Sequence, residues 1–224
     1  MIPRGAALRV VGDVHGDVRG FAHALATDRF IIQLGDLADG GSDSAEVLRL
    51  MFARQDAGRG VFLLGNHDAK LARALAGRQV RTDAALADTL ARLDPALAAR
   101  AADAIVRAPA WLHQPGRLFV HGAFHPAMLH HAPPPILPAK VEGALAHALY
   151  GQTTGRMQPD GFPERSLRWV DRIPTGLTVY CGHDRRSQDG RPYVLRNAAG
   201  GSAVFLDTGA GKGGHLSWID LPPA

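Results

Sequence analysis

Leu8-Arg9-Val10-Val11-Gly12-Asp13-Val14-His15-Gly16-Asp17 begins as a β-type run, breaks at a glycine and at once presents an aspartate and a histidine two residues apart. A short apolar run bounded by glycine reads as a buried strand, and in open α/β sheets ligand sites gather beyond the C-terminal ends of such strands. Taken alone, the Asp-x-His turn is as well explained by a carboxylate that satisfies nearby backbone N–H groups. The same pattern then returns along the chain. The apolar run 30–34 is followed by Gly35-Asp36-Leu37-Ala38-Asp39, and 61–64 by Gly65-Asn66-His67-Asp68. Further on, 117–120 delivers His121-Gly122, 177–181 delivers Gly182-His183-Asp184, and 203–206 delivers Asp207-Thr208-Gly209. Histidine is not a favoured turn residue, so turn chemistry does not account for the recurrence.

Helical segments separate the first of these strands. Residues 18–26 place Val18, Phe21, Ala22 and Leu25 on one face, and a second helix, capped by Ser42 or Ser44, is expected to run to Asp56. Residues 81–106 are rich in Ala, Leu and Arg and predict a helical insertion over the site or one sheet edge, its second helix starting at Pro95 with Asp94 as cap. Pro126 and the prolines at 133–135 mark a loop, 139–149 reads as a helix, and the alternation in 215–221 as a closing edge strand. The class is α/β.

At 224 residues, 46% hydrophobic and 21% charged, the chain can bury a core and is too apolar for disorder. No repeat, linker or shift of composition divides it, so a single domain over 1–224 is expected. The formal charge of +4 comes from 25 basic against 21 acidic residues, and only Lys70, Lys140 and Lys212 are lysine. Arginine suits phosphate, but these arginines are scattered and give weak support for an anionic substrate. Cys181, the sole cysteine, excludes an internal disulfide. With no signal-peptide pattern and no membrane-length apolar run, a cytoplasmic location away from membranes is expected.

The five stretches Gly12–Gly16, 35–39, 65–68, His121-Gly122-Ala123-Phe124-His125-Pro126 and Gly182-His183-Asp184, in this order, resemble the calcineurin-like metallophosphoesterase superfamily, specifically its phosphoprotein-phosphatase (PPP) branch. The C-terminal third, with Tyr150-Gly151-Gln152-Thr153-Thr154-Gly155 and Asp207-Thr208-Gly209 before Gly213-Gly214, is most similar to the phosphatase module of bacterial polynucleotide kinase-phosphatases. A Walker-type phosphate loop is absent, so no kinase module is expected. The resemblance implies a two-sheet β-sandwich flanked by helices, with 81–106 as an insertion. It implies two divalent metal ions, with Asp13 and His15 on the first, Asp36 bridging, and Asn66, His121 and His183 on the second. It also implies that His67 is the general acid for the leaving oxygen and that Asp39 orients it.

Carboxylate, amide and imidazole ligands without thiolate favour Mn²⁺, with Fe or Zn²⁺ as alternatives. Two such ions generate hydroxide near neutral pH and neutralise charge on a phosphoryl group. Asp68 reads as a helix cap, and Asp207 resembles the family aspartate near the second metal. His23, His113, His125, His130, His131, His147 and His215 have no motif around them.

The chain also departs from the pattern. In the resembling families an arginine that clamps the phosphate follows the second aspartate of the Asp36 motif; here Gly40-Gly41 follows Asp39. Asp184 replaces the commoner threonine beside His183, where it is expected to support that ligand. Arg185, Arg186, Arg156 and Lys212 are the candidates for the lost positive charge. The expected activity is hydrolysis of phosphomonoesters by in-line attack of metal-bound hydroxide, on a phosphoprotein, a nucleotide or a nucleic-acid end, with no obligate protein partner. The alternatives are a dinucleoside polyphosphate hydrolase and, from a different class, a binding or regulatory module that keeps its metals with little catalysis.

Overall fold

The computed structural model describes residues 2–159, 161–187 and 189–223. Three parallel strands, β1 (Leu8–Val11), β2 (Phe30–Gln33) and β3 (Gly60–Phe62), form the body of the first sheet. In the second, β4 (Trp111–Gln114) pairs antiparallel with β5 (Arg117–Val120). A separate hairpin, β6 (Thr153–Met157) with β7 (Pro163–Arg165), precedes β8 (Thr178–Cys181), β9 (Tyr193–Arg196) and β10 (Ser202–Phe205). The second sheet has the order β4-β5-β8-β10-β9, in which β5, β8 and β10 are parallel. The last strand, β11 (Trp218–Leu221), returns antiparallel to β1 and closes the edge of the first sheet, as the alternation in 215–221 predicts.

Period-two alternation sorts the strand residues into two cores. Leu8, Val10, Phe30 and Ile32 of the first sheet meet Phe119, Tyr180 and Val204 of the second in one buried cluster between the sheets. Their neighbours Val11, Ile31, Leu118, Val120, Val179, Cys181, Ala203 and Phe205 face outward and join a larger core with the helices. Both faces of the central strands are thereby apolar, which is why they read as continuous runs. The architecture is the helix-flanked sandwich that the resemblance implies.

Helices α1 (Val18–Leu25), α2 (Ser44–Asp56) and α3 (Asn66–Leu75) follow β1, β2 and β3. The cap of α2 is neither serine: Asp43 accepts from Glu46 N–H at 3.0 Å, while Ser44 Oγ accepts from Asp39 N–H. Residues 81–106 form α4 (Ala84–Arg92) and α5 (Pro95–Val106), and Asp94 caps α5 as expected. These two helices pack on α2 and α3 rather than on a sheet edge. The helix expected over 139–149 is α6 (Gly143–Tyr150). Among the described residues no helix is long and apolar enough to cross a membrane.

Candidate metal centre

Every parallel strand delivers a candidate side chain at its C-terminal end. The first sheet contributes Asp13 and His15 after β1, Asp36 and Asp39 after β2, and Asn66 and His67 after β3; the second contributes His121, His183 and Asp207 after β5, β8 and β10. Among the described residues the non-glycine positions with positive φ are His15 (44°), Asp36 (58°), Asp39 (67°) and His183 (60°). Left-handed backbone costs an ordinary L-residue about 1–2 kcal/mol, so the strain is concentrated where the side chains must converge.

The convergence is close. His15, Asp36 and His67 offer ligand atoms within 4.8 Å of one another, and so do Asp36, His121 and His183. Asp36 belongs to both groups, its Oδ2 lying 3.6 Å from His15 Nε2 and 3.5 Å from His121 Nε2. Asp13 Oδ2 lies 3.9 Å from His15 Nε2, and both oxygens of Asp13 accept from His183 N–H at 3.1 Å.

The tautomers of these rings are fixed by backbone acceptors. His15 Nδ1 donates to Ala38 O and Asp39 O at 3.1 Å, and His121 Nδ1 donates to Leu34 O at 3.0 Å. A carbonyl only accepts, so each Nδ1 carries the proton and each Nε2 presents a lone pair to the site. His121 Nε2 faces the Asn66 amide oxygen at 3.0 Å, two electron-rich atoms that repel unless a cation lies against both. His15 Nε2 already draws the Lys212 ammonium, 2.9 Å away. His183 Nε2 is buried without a hydrogen-bond partner. Burial lowers the proton affinity of His15, His121 and His183, the last well below the ordinary imidazole value, so these rings are neutral at neutral pH. An orphaned buried nitrogen, two facing acceptors and a shared carboxylate fit divalent metal ions.

The start of α3 serves the same centre. His67 N–H, free in the first turn of the helix, donates to Asp36 Oδ1 at 2.8 Å. Asp68 accepts from Gly65 N–H as an N-terminal cap should, at 3.1 Å, and also from Asp36 N–H at 2.7 Å and Leu37 N–H at 3.0 Å. It therefore ties the loop after β2 to the helix after β3. Burial, with the charge of Asp36 behind it, pushes the Asp68 carboxyl up to about 7. Burial, followed by Asp207 and Asp36, also raises Asp13 well above the usual carboxylate range.

His67 differs from the other three rings. Its Nδ1 donates to Asp39 Oδ2 at 3.0 Å, and Asp39 is almost fully buried. Burial opposes charge on His67 as well, but the Asp39 hydrogen bond and the charge of Asp36 outweigh it and raise its proton affinity. Lys70, one helical turn along α3, reaches the same Asp39 oxygen at 3.4 Å and Asp83 at 2.7 Å. Sequence reading missed Lys70, although its spacing of three from His67 on one helix was a usable signal.

Other expectations are redirected. Asp184 turns onto Arg186 at 2.7 Å instead of supporting His183, and it is Tyr150 whose backbone bonds that histidine. The exposed Arg185 lays its guanidinium against Gly209. Arg165, which no motif marked, lies beside His183 at the Gly151 turn and donates to Tyr150 O. Asp207 accepts from Gly209 N–H at 2.9 Å, and its charge reaches Asp13 and His15.

The model of the calcineurin-like phosphoesterase family matches residues 8–199. The chain belongs to that family. As a calcineurin-like phosphoesterase it is a metal-dependent phosphoester hydrolase. Over 229 residues it is 26% identical to the asymmetrical bis(5'-nucleosyl)-tetraphosphatase PrpE of Halalkalibacterium halodurans, a match spanning 95% of this chain and 89% of the relative. A solved structure described as a candidate diadenosine tetraphosphatase superposes with a TM-score of 0.63 at 20% identity, covering 100% of this chain and 96% of the other. A Saccharomyces cerevisiae protein serine/threonine phosphatase with similarity to human PP5 also gives 0.63, at 14% identity, covering 98% and 81%. These two likenesses show that this phosphoesterase shares their fold.

Proposed function

We propose that this phosphoesterase hydrolyses phosphomonoesters as a PPP-type phosphatase with two divalent metal ions, Mn²⁺ foremost. Asp13, His15 and Asp36 would hold one, and Asp36, Asn66, His121 and His183 the other. The observation that carries the reading is the division of labour among the histidines: three are held neutral with lone pairs facing Asp36 and its surroundings, while His67 alone is pushed toward the protonated form. Groups whose environments drive their proton affinities apart are the pattern of separate ligand and acid roles. Bound in the site, the metal pair supplies an activated water nucleophile and positive charge for the phosphoryl oxygens.

The chain's own residues do the rest. Asp36, fixed by His67 N–H, faces both groups of ligands. Asp39 holds the Nδ1 proton of His67, so a proton on Nε2 is the one delivered to the leaving oxygen. The single cysteine, with no partner for an internal disulfide, supports action in a reducing cytoplasm.

A second reading, cleavage of dinucleoside tetraphosphates, is favoured by the tetraphosphatase name of the relative that spans 95% of this chain. One panel separates the two: an aryl phosphate, a phosphopeptide, nucleotide 2′- and 3′-phosphates and a dinucleoside tetraphosphate, each with Mn²⁺ and with chelator. Turnover of the monoesters supports the first reading, and turnover of the tetraphosphate alone the second. No metal-dependent turnover on any of them would leave a metal-retaining binding module. Asp36→Asn and His183→Ala, each removing a ligand, should lower bound metal below two per chain by elemental analysis.

A further inference from the structure

The loop after β10 folds over the turn that lacks its arginine. Gly41 N–H donates to Gly211 O at 3.2 Å, and a Cβ at Gly211 would lie 2.1 Å from His15 O. Gly40 has φ 142°, and a Cβ there would lie 3.1 Å from His15 O and 3.4 Å from Gly211 O. Both sides of this contact are thus bare backbone, and the next residue along, Lys212, brings a side chain past it. Lys212 is exposed as a residue, yet its Nζ sits 2.9 Å from His15 Nε2, inside the site. Its charge is felt by Asp13, His15 and His67. Of the other candidates, Arg185 and Arg186 are engaged elsewhere, on Gly209 and Asp184, and Arg156 lies on the exposed strand β6.

We propose that Lys212 is the phosphate-binding cation of this centre, reaching in from the loop after β10 across the side-chain-free Gly40 turn. The proposal rests on the hydrolase reading above. One lone pair on His15 Nε2 cannot serve a metal ion and an ammonium together. When a divalent ion takes it, Nζ must leave, and its four-carbon stem lets it turn to an anion without leaving the site. The neighbouring His67 ring, its centroid 4.9 Å from that of His15, marks where the leaving oxygen has to be. An ammonium with three rotatable donors donates to a phosphate oxygen in many orientations, which a fixed guanidinium fork does not.

The test compares Mn²⁺-loaded wild type, Lys212→Met and Lys212→Arg by calorimetric titration with inorganic phosphate, with bound metal and melting temperature measured on the same samples. Lys212→Met should weaken phosphate binding by about 10- to 100-fold, the scale of one charge-assisted contact. Lys212→Arg, which keeps the charge but not the rotatable donors, should weaken it less than Lys212→Met does. Both should keep the wild-type metal content and melting temperature. Equal phosphate affinity in wild type and Lys212→Met, or no phosphate binding by wild type, overturns the assignment. So does a Lys212→Met protein that loses metal or melts early, since Lys212 would then be supporting the fold of the site. Failure of the hydrolase reading shows itself differently: wild type would bind Mn²⁺ and phosphate, with the Lys212 effect intact, and turn over nothing in the substrate panel.

Discussion

His67 is set apart from His15 and His121 by what holds its second ring nitrogen, a carboxylate instead of a backbone carbonyl. On the proposed reading, that difference makes it the proton carrier. His67→Ala should keep two metals per chain and lower kcat by about 10²- to 10⁴-fold, with the larger loss on alkyl phosphates, whose leaving groups need the proton more. Equal losses on alkyl and aryl substrates would remove His67 from the acid role. Asp39 is the leading contribution that raises His67, so Asp39→Asn should lower its proton affinity and move the basic limb of kcat/KM to lower pH. Steady-state profiles from pH 5.5 to 9 would show the shift; an unmoved limb would mean that another group titrates. The ligand candidates were legible in the sequence because metal chemistry restricts residue type and the strand ends restrict place. Lys70 was legible only through its spacing from His67, because its partner Asp39 comes from a different strand end, and Lys212 only as one of several cations, because its partner His15 lies 197 positions away.

At the scale of elements, two glycines of the motifs, Gly65 and Gly182, are places where one strand end touches another. A Cβ at Gly182 would lie 1.9 Å from Asp13 Oδ1, and one at Gly65 would lie 2.2 Å from Asp36 N. Both residues stand where a loop of one strand seats a carboxylate delivered by another. Gly182→Ala should therefore push Asp13 out of position, cost about 1–3 kcal/mol in the metal-free protein and bring bound metal below two per chain. Gly58→Ala is the control: its φ of 65° makes alanine costly by about 1 kcal/mol, but nothing lies within 4 Å, so metal content should stay at the wild-type level. Urea melts with metal analysis would tell them apart, and a Gly182→Ala protein with two metals would show that the contact is dispensable. The same scale explains which elements escaped the sequence reading. The central strands are buried on both faces and announce themselves as apolar runs, whereas β6 is exposed throughout and β9 nearly so. Such edge strands and hairpins bury too little to leave a periodic pattern.

At the scale of the molecule, the candidate site spans the sandwich. Asp13, His15, Asp36 and Asn66 come from the first sheet and His121 and His183 from the second, with direct bonds already running from His183 N–H to Asp13 and from His121 to Leu34 O. Metal ions held there would tie the two sheets together, so Mn²⁺ should stabilise the fold. At 100 times its dissociation constant a ligand contributes about 2.7 kcal/mol, which for a chain of this size raises the melting temperature by about 5–10 °C. The increment should depend on pH in a definite direction. Burial raises Asp13 well above its unfolded value, so in the metal-free protein its carboxyl holds a proton to higher pH than in the unfolded chain, and a metal that takes the carboxylate competes with that proton. His15, His121 and His183, whose proton affinities are lowered, have no proton to release at neutral pH. Metal binding should then release protons, and the Mn²⁺-induced rise in melting temperature should shrink as the pH falls from 8 to 6. Calorimetric scans with and without Mn²⁺ at pH 8, 7 and 6 read this directly, and titrations in buffers of different ionisation enthalpy count the protons. An increment that stays constant over that range, with no proton released, would show that Asp13 is already ionised before the metal arrives.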